Sequence, residues 1–363
     1  MLVLQPGGEN MMDKKRELWL DGAKGFAMIL VVAGHVYNHN NLITYIYWFH
    51  MPAFFLFSGY VSKPVERWSQ VGPYLKRRAH SLLIPYITYL GLFTLIRYAE
   101  ELIQGNISLN WYIEDIEKII FGGRFITSYY GVFWFVTCLF FTQVLFLIIF
   151  LIFKRTKTRL LFIMLLYIVS HIEGSYIGTL SGLEPSLHVW IPWNIDVSML
   201  ALVYYSIGYY VKPYVKQIPS VLTALCILLI IGFITIQELN LMDYHLSMKY
   251  VSYEHYGLDV VIPLVMTIAY CGIFQLIKSV KILSLFSLIN NKSMAIMYMH
   301  IGVNKILLQF MDYGNITYTI LGVTVPLFIT IFILEKKDII RNHFLIILQR
   351  RSELRRSKGM RTG

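Results

Sequence analysis

Charge is scarce in this chain. Only 15% of its 363 residues are Asp, Glu, Lys or Arg, against 56% hydrophobic and 15% aromatic, which excludes the usual balance of a water-soluble domain. Cysteine is rarer still. Cys138, Cys226 and Cys271 fall in apolar stretches without metal-ligand spacing, so they point to no metal site and say nothing about redox compartment. The opening MLVLQPGGENMMDKKRE lacks a short apolar core followed by a small-residue cleavage site, and no cleavable signal peptide is expected. Tandem repeats, low-complexity tracts and any soluble domain of useful size are also missing.

What is present is a series of long apolar runs. A helix of about 20 residues crosses roughly 30 Å of hydrocarbon, and runs of that kind lie near 18–37, 43–62, 82–103, 129–153, 160–180, 194–211, 218–238, 257–277, 293–311 and 316–334. They are continuous rather than alternating, and lipid demands that each segment satisfy its own backbone, so helices are expected. The predicted class is an all-α polytopic membrane protein of about ten transmembrane helices.

The net charge of +11 would suit nucleic acid in a soluble protein, but in a membrane chain its placement matters more. Lys14 to Arg16, Lys63 to Arg78, KRTKTR at 154–159, Lys212 with Lys216, Lys278 to Lys292, and Lys336 to Arg361 fall on alternate connections. The others hold only Lys118, Arg124 and Lys249 among several acids. Basic loops stay inside, so both termini are expected in the cytoplasm: a segment 1–17, a membrane domain 18–335, and a basic tail 336–363. The expected partner is the lipid bilayer and not nucleic acid.

The stretch LDGAKGFAMILVVAGHVYNHN, residues 20–40, carries Asp21, Lys24 and His35 in a run greasy enough to enter a bilayer. A charge near the bilayer centre costs roughly 2.5–3.5 kcal/mol and usually faces a polar cavity or a partner. From Lys24 to His35 is 11 positions, which at about 100° each return to within about 20° of one face, roughly 16 Å along the axis. That line suits a protein holding an anion low in the membrane and doing proton chemistry above it. The alternative is that Lys24 snorkels to the headgroups and His35 caps the helix near the outer interface.

YWFHMPAFFLFSGYVS at 47–62 and YLKRRAHSLLIPY at 74–86 follow. With D-G-x-K-G and His35 before them, these motifs make the chain resemble the integral-membrane acyltransferase family 3, in particular its fucose 4-O-acetylase-like branch. Phe133-Trp134-Phe135 with Leu139, PWNIDVSMLALVYYSIGYY at 192–210 and NNKSMAIMYMH at 290–300 extend the resemblance in order over most of the chain. Lys24 stands where the wider family commonly has Arg, and Ser81 where many members have a second Arg; Lys offers a point charge rather than a planar fork.

The resemblance implies transfer of an acyl group, usually acetyl from acetyl-CoA, to a hydroxyl of a cell-envelope carbohydrate at a bacterial plasma membrane, with no metal. The acceptor stays open among capsule, teichoic or lipid-linked oligosaccharide, peptidoglycan sugar and small glycosylated metabolite. Such transfer needs a base near neutral pKa, and His35 is the expected one. Lys24, Arg78, Arg77 and Lys76 would hold the CoA phosphates, or the loop lysine and arginines only signal topology. Ser58, Gly59 and Tyr60 either let helices pack closely, line an acyl passage, or offer Ser58 as a transient acyl carrier.

His300 is the second expected catalytic residue, with Asn304 on the same helix face. Asp21, His50, Glu173, Trp193 and Asp196 are expected to orient a histidine or meet the acceptor. His171, Glu173 and Asp196 read equally as an internal polar group, and Trp193, with Trp190 and His188, as ordinary interface residues. Two rival classes are a polytopic transporter or exporter of surface glycans, which predicts related halves, and a glycosyltransferase, which predicts paired acids on an outward loop.

Overall fold

The computed structural model describes residues 17–36, 41–63, 65–105, 108–183, 191–253 and 255–333. The tail 336–363, all but the last residue of the N-terminal segment, and His188 and Trp190 lie outside the described residues. Among the described residues the chain is helical, with one antiparallel bridge between Ser247 and Ser252.

In chain order the helices are α1 (Leu18–Ala33), α2 (Asn41–Tyr47), α3 (His50–Tyr60), α4 (Val71–Ile103), α5 (Leu109–Phe121), α6 (Trp134–Ile152) and α7 (Thr156–Leu183). Then come α8 (Val197–Val215), α9 (Ser220–Glu238), α10 (Leu258–Leu276), α11 (Val280–Asn291) and α12 (Ser293–Leu307), with α13 at Asn315–Ile333. Six helical segments are long and apolar enough to cross a membrane: Trp68–Ile103, Ser128–Ile152, Thr156–Tyr176, Ser220–Glu238, Leu258–Leu276 and Asn315–Ile333.

These six coincide with six of the ten expected runs. The other four are shorter or more polar. α1 has 16 residues and α12 has 15, so each is about 23–24 Å long. α8 is long enough but carries Ser198, Ser206, Gly208 and Lys212. The run 43–62, expected as one span, is two helices. They part at Trp48-Phe49, where Phe49 leaves helical geometry with φ −139° and the Trp48 indole donates to the Tyr244 carbonyl at 3.1 Å. These four segments carry Lys24, His50 and His300: polar residues lower hydropathy where the interior uses them.

Two expected connections contain helices. In α5 the Ser108 hydroxyl caps the start by accepting from Trp111 N, and Gly122 at φ +60° ends the helix. Leu109, Ile113, Ile116 and Ile120 line its exposed face, while Asp115 turns inward to pair with Arg97. That distribution fits a helix lying in the membrane interface. α11 packs along α1 at Gly25, where a β-carbon would overlap the Phe286 carbonyl oxygen.

α3 and α8 cross equally closely. A β-carbon at Gly59 would overlap the Tyr205 carbonyl, and one at Gly208 the Leu56 carbonyl. The Tyr60 hydroxyl donates to Glu17 at 2.7 Å, which sets the end of α3 beside the start of α1. The bundle therefore has two distinguishable ends, one at Glu17 and Tyr60, the other where α1 finishes.

Candidate active site

α1 stops at Ala33, Gly34 caps it, and His35 sits in the turn that follows rather than inside the helix, as a span of 18–37 had implied. Its Nδ1 reaches back to the Val31 carbonyl at 2.7 Å. Here α1, the α2–α3 break, the approach to α6, α12 and the connection after α9 enclose a cavity of about 280 Å³. His35, Tyr47, His50, Ser128 and Lys249 supply its chief polar groups, among Met, Val, Phe and Trp walls.

Three histidines at or beside this cavity share one local geometry. His35 Nδ1 meets Val31 O, His50 Nδ1 meets Ile46 O at 2.8 Å, and His300 Nδ1 meets Ile296 O at 3.0 Å. A carbonyl only accepts, so each Nδ1 donates, and in the neutral ring Nε2 carries the basic lone pair. The His35 and His300 rings lie 5.1 Å apart, and Tyr47 packs edge-on to His50 at 4.9 Å. His300 is fully buried, and its Nε2 has no hydrogen-bond partner among the described residues. Asn304 does not face the cavity: it donates to the His300 carbonyl at 2.9 Å and accepts from the Tyr313 hydroxyl, fixing the turn of α12 beneath His300.

The expected donor residues lie elsewhere. Arg78 is half-buried with its guanidinium 5.2 Å over the Tyr74 ring, whereas Lys76 and Arg77 are exposed. Tyr74 sits by Tyr205, whose hydroxyl donates to Ser62 just past α3, so Arg78 belongs to the Glu17–Tyr60 end. Lys24 is half-buried between the two ends. Asp21 accepts from the Asn290 amide at 2.9 Å, tying α1 to α11.

Ser58, Gly59 and Tyr60 do not line the cavity. The Ser58 hydroxyl donates to Phe54 O at 2.8 Å within its own helix, and Gly59 makes the α3–α8 crossing.

The P-W-N-x-D element is a brace. Trp193 and Asn194 occupy the left-handed region at φ +57° and +54°. Trp193 Nε1 donates to Ile120 O at 2.9 Å, Asn194 donates to Lys249 O at 2.8 Å, and Asp196 pairs with Arg124. Glu173 lies within electrostatic range of that pair. His171 pairs with Asp259 at 3.0 Å, both fully buried. None of Trp193, Asp196, Glu173 or His171 borders the cavity.

Two lining residues carried no signal as site residues in the sequence. Ser128 holds φ +57°, costly for a residue with a β-carbon, and its hydroxyl accepts from the Lys305 ammonium at 2.6 Å. Lys249 stood out only as a lone cation in an acid-bearing connection. In the structure it is 7% exposed and donates to Ile126 O at 3.0 Å and Gly131 O at 3.2 Å. Burial pushes its pKa down to about 8.

Among the described residues no group of three or more His, Cys, Asp or Glu could hold a metal ion. A family model described as an acyltransferase domain matches residues 17–335. No curated protein and no solved structure matches the chain.

Proposed function

The chain belongs to the acyltransferase 3 family, whose domain spans residues 17–335, and its apolar helices make it a membrane acyltransferase; from that premise we propose that it moves acetyl from acetyl-CoA to a hydroxyl of a cell-envelope carbohydrate. The proposed setting is a bacterial plasma membrane, with ten segments in the bilayer counting the four shorter or more polar ones, both termini in the cytoplasm, and the fucose 4-O-acetylase-like branch as its kin. Family membership sets the transporter and glycosyltransferase readings aside.

The observation that carries the reading is His35 at the cavity wall, with Nδ1 committed to Val31 O. In this mechanism the acceptor hydroxyl gives its proton to His35 Nε2 while its oxygen attacks the thioester carbonyl. The carbon–sulfur bond breaks, the ester forms, and the proton passes to the departing CoA thiolate. His300, stacked edge-on beside His35, positions that ring. The donor is placed in this reading at the opposite end, where Arg78, with Lys76 and Arg77 at the surface, meets the CoA phosphates and Lys24 lies along α1 between the two ends. The thin acyl arm then runs along α1 toward His35. Direct attack is favoured over a Ser58 relay because the Ser58 hydroxyl is bonded inside α3, away from the cavity.

The test is the O-acetyl content of purified surface polysaccharide, by proton NMR, from cells carrying wild-type protein or His35→Ala at matched membrane abundance. Loss of the acetyl signals is the expected result. Unchanged signals would mean that His35 is not the base or that this polysaccharide is not the acceptor.

A further inference from the structure

Among the described residues Lys249 is the one formally charged side chain in the cavity lining, and none of them there is a carboxylate. Its ammonium meets the carbonyls of Ile126 and Gly131 and lies 5.1 Å from the Tyr250 ring centroid; among the described residues no acid pairs with it. A buried ammonium without an acid is costly. Joining two carbonyls in the 126–131 turn needs only a neutral donor, such as a glutamine amide, so the turn alone does not explain a cation.

The chain also holds this residue in place at some expense. Asn194, itself in the left-handed region, donates to the Lys249 carbonyl. Ser247 and Ser252 exchange backbone hydrogen bonds at 2.9 and 3.1 Å across the intervening turn, where Val251 takes φ +58°. A β-branched residue at positive φ is strained, and here the strain keeps Lys249 pointed into the wall. The CoA phosphates are assigned to the far end of the bundle, so they are not the missing anion.

We propose that Lys249 binds an acidic group of the acceptor, a carboxylate or phosphate carried near the acylated hydroxyl, and so selects acidic over neutral glycans. This rests on reading the cavity as the acyl-transfer site. A buried cation meeting an anion discriminates strongly, because a neutral acceptor leaves the charge unpaired.

The experiment uses full-length protein in phospholipid nanodiscs and three oligosaccharide probes of equal length: neutral, hexuronate-bearing and phosphate-bearing. Binding is read by saturation-transfer NMR, and transfer with acetyl-CoA labelled in the acetyl group. Wild type is expected to bind at least one acidic probe about tenfold or more tighter than the neutral one, and the better probe names the group. Lys249→Gln, which keeps a donor for the two carbonyls, should bring the acidic-to-neutral ratio to about one, and Lys249→Arg should keep it well above one. A wild-type ratio near one, or a ratio unchanged in Lys249→Gln, overturns the proposal. A binding preference without acetyl transfer to any probe would leave the anion site standing and count against the acetyltransferase reading instead.

Discussion

His300 and His171 are built alike and partnered differently. Each is a fully buried helix histidine whose Nδ1 donates to the carbonyl four residues back, His300 to Ile296 and His171 to Tyr167. The other nitrogen separates them. His171 Nε2 meets Asp259, whose carboxylate also accepts from His255 N at 3.0 Å, whereas His300 Nε2 has no such partner and its ring faces His35 beside the cavity. With both ring nitrogens partnered, His171 staples α7 to α10; a buried nitrogen without a partner next to a second imidazole marks a candidate site. The buried histidine alone therefore says little, and the partner of its second nitrogen decides.

The sharpest break of this comparison removes one histidine from each neighbourhood. His35→Ala in purified protein is expected to lower acetyl transfer by roughly a hundredfold to ten-thousandfold, the contribution of a positioned base. His171→Ala should leave the turnover of the folded fraction within a few-fold, measured against active protein isolated by size exclusion. Equal losses in both would erase the distinction.

The complementary effect is on stability. Asp259→Ala strands His171 without its partner, and breaking a buried pair costs roughly 3–5 kcal/mol. The expected outcome is a clear fall in Tm in detergent, while the folded fraction keeps its turnover. A Tm that does not move would show that the pair holds nothing together.

His300→Gln tests the positioning role more finely. It is expected to lower kcat by roughly tenfold while KM for acetyl-CoA stays near wild type, since the group acts through His35 rather than on the donor. A fall confined to Tm would reassign His300 to the same structural class as His171.

The smallest effect concerns pH. Because burial lowers Lys249 to about 8, its charge is present below that pH and lost above it. Facing it across the lining and beside it are His35, His50, Tyr47 and Tyr250, with no carboxylate among the described residues. The preference for an acidic probe should therefore be full near pH 7 and decline a few-fold by pH 9 in wild type, but not in Lys249→Arg, whose guanidinium stays charged. Ratios measured across that range check it.

Much of this was legible in the sequence, and the exceptions have causes. Lys24, His35 and His300 announce themselves because a polar group in an apolar run has a cost that calls for a reason. The six strongest runs became the six long apolar helices for the same local cause. The break at Trp48-Phe49 was not legible, since it depends on an indole reaching a carbonyl of Tyr244 almost two hundred positions away. Ser58 looked as eligible as any serine until its hydroxyl was found bonded to Phe54 O.

By itself the sequence determined the class: hydrophobicity over about 20 residues and helical periodicity are properties of one segment, and they need no neighbour to act. It also marked Lys24 and His35 as the polar positions of the first apolar run, although His35 came to lie in the turn after α1 rather than on it. Only the tertiary structure decided which polar atoms found partners, that Asp196 went to Arg124 and His171 to Asp259, and that Lys249 from a connecting segment entered the cavity wall. Those outcomes depend on groups brought together from distant positions, where the interior's low dielectric makes each pairing, or its absence, decisive.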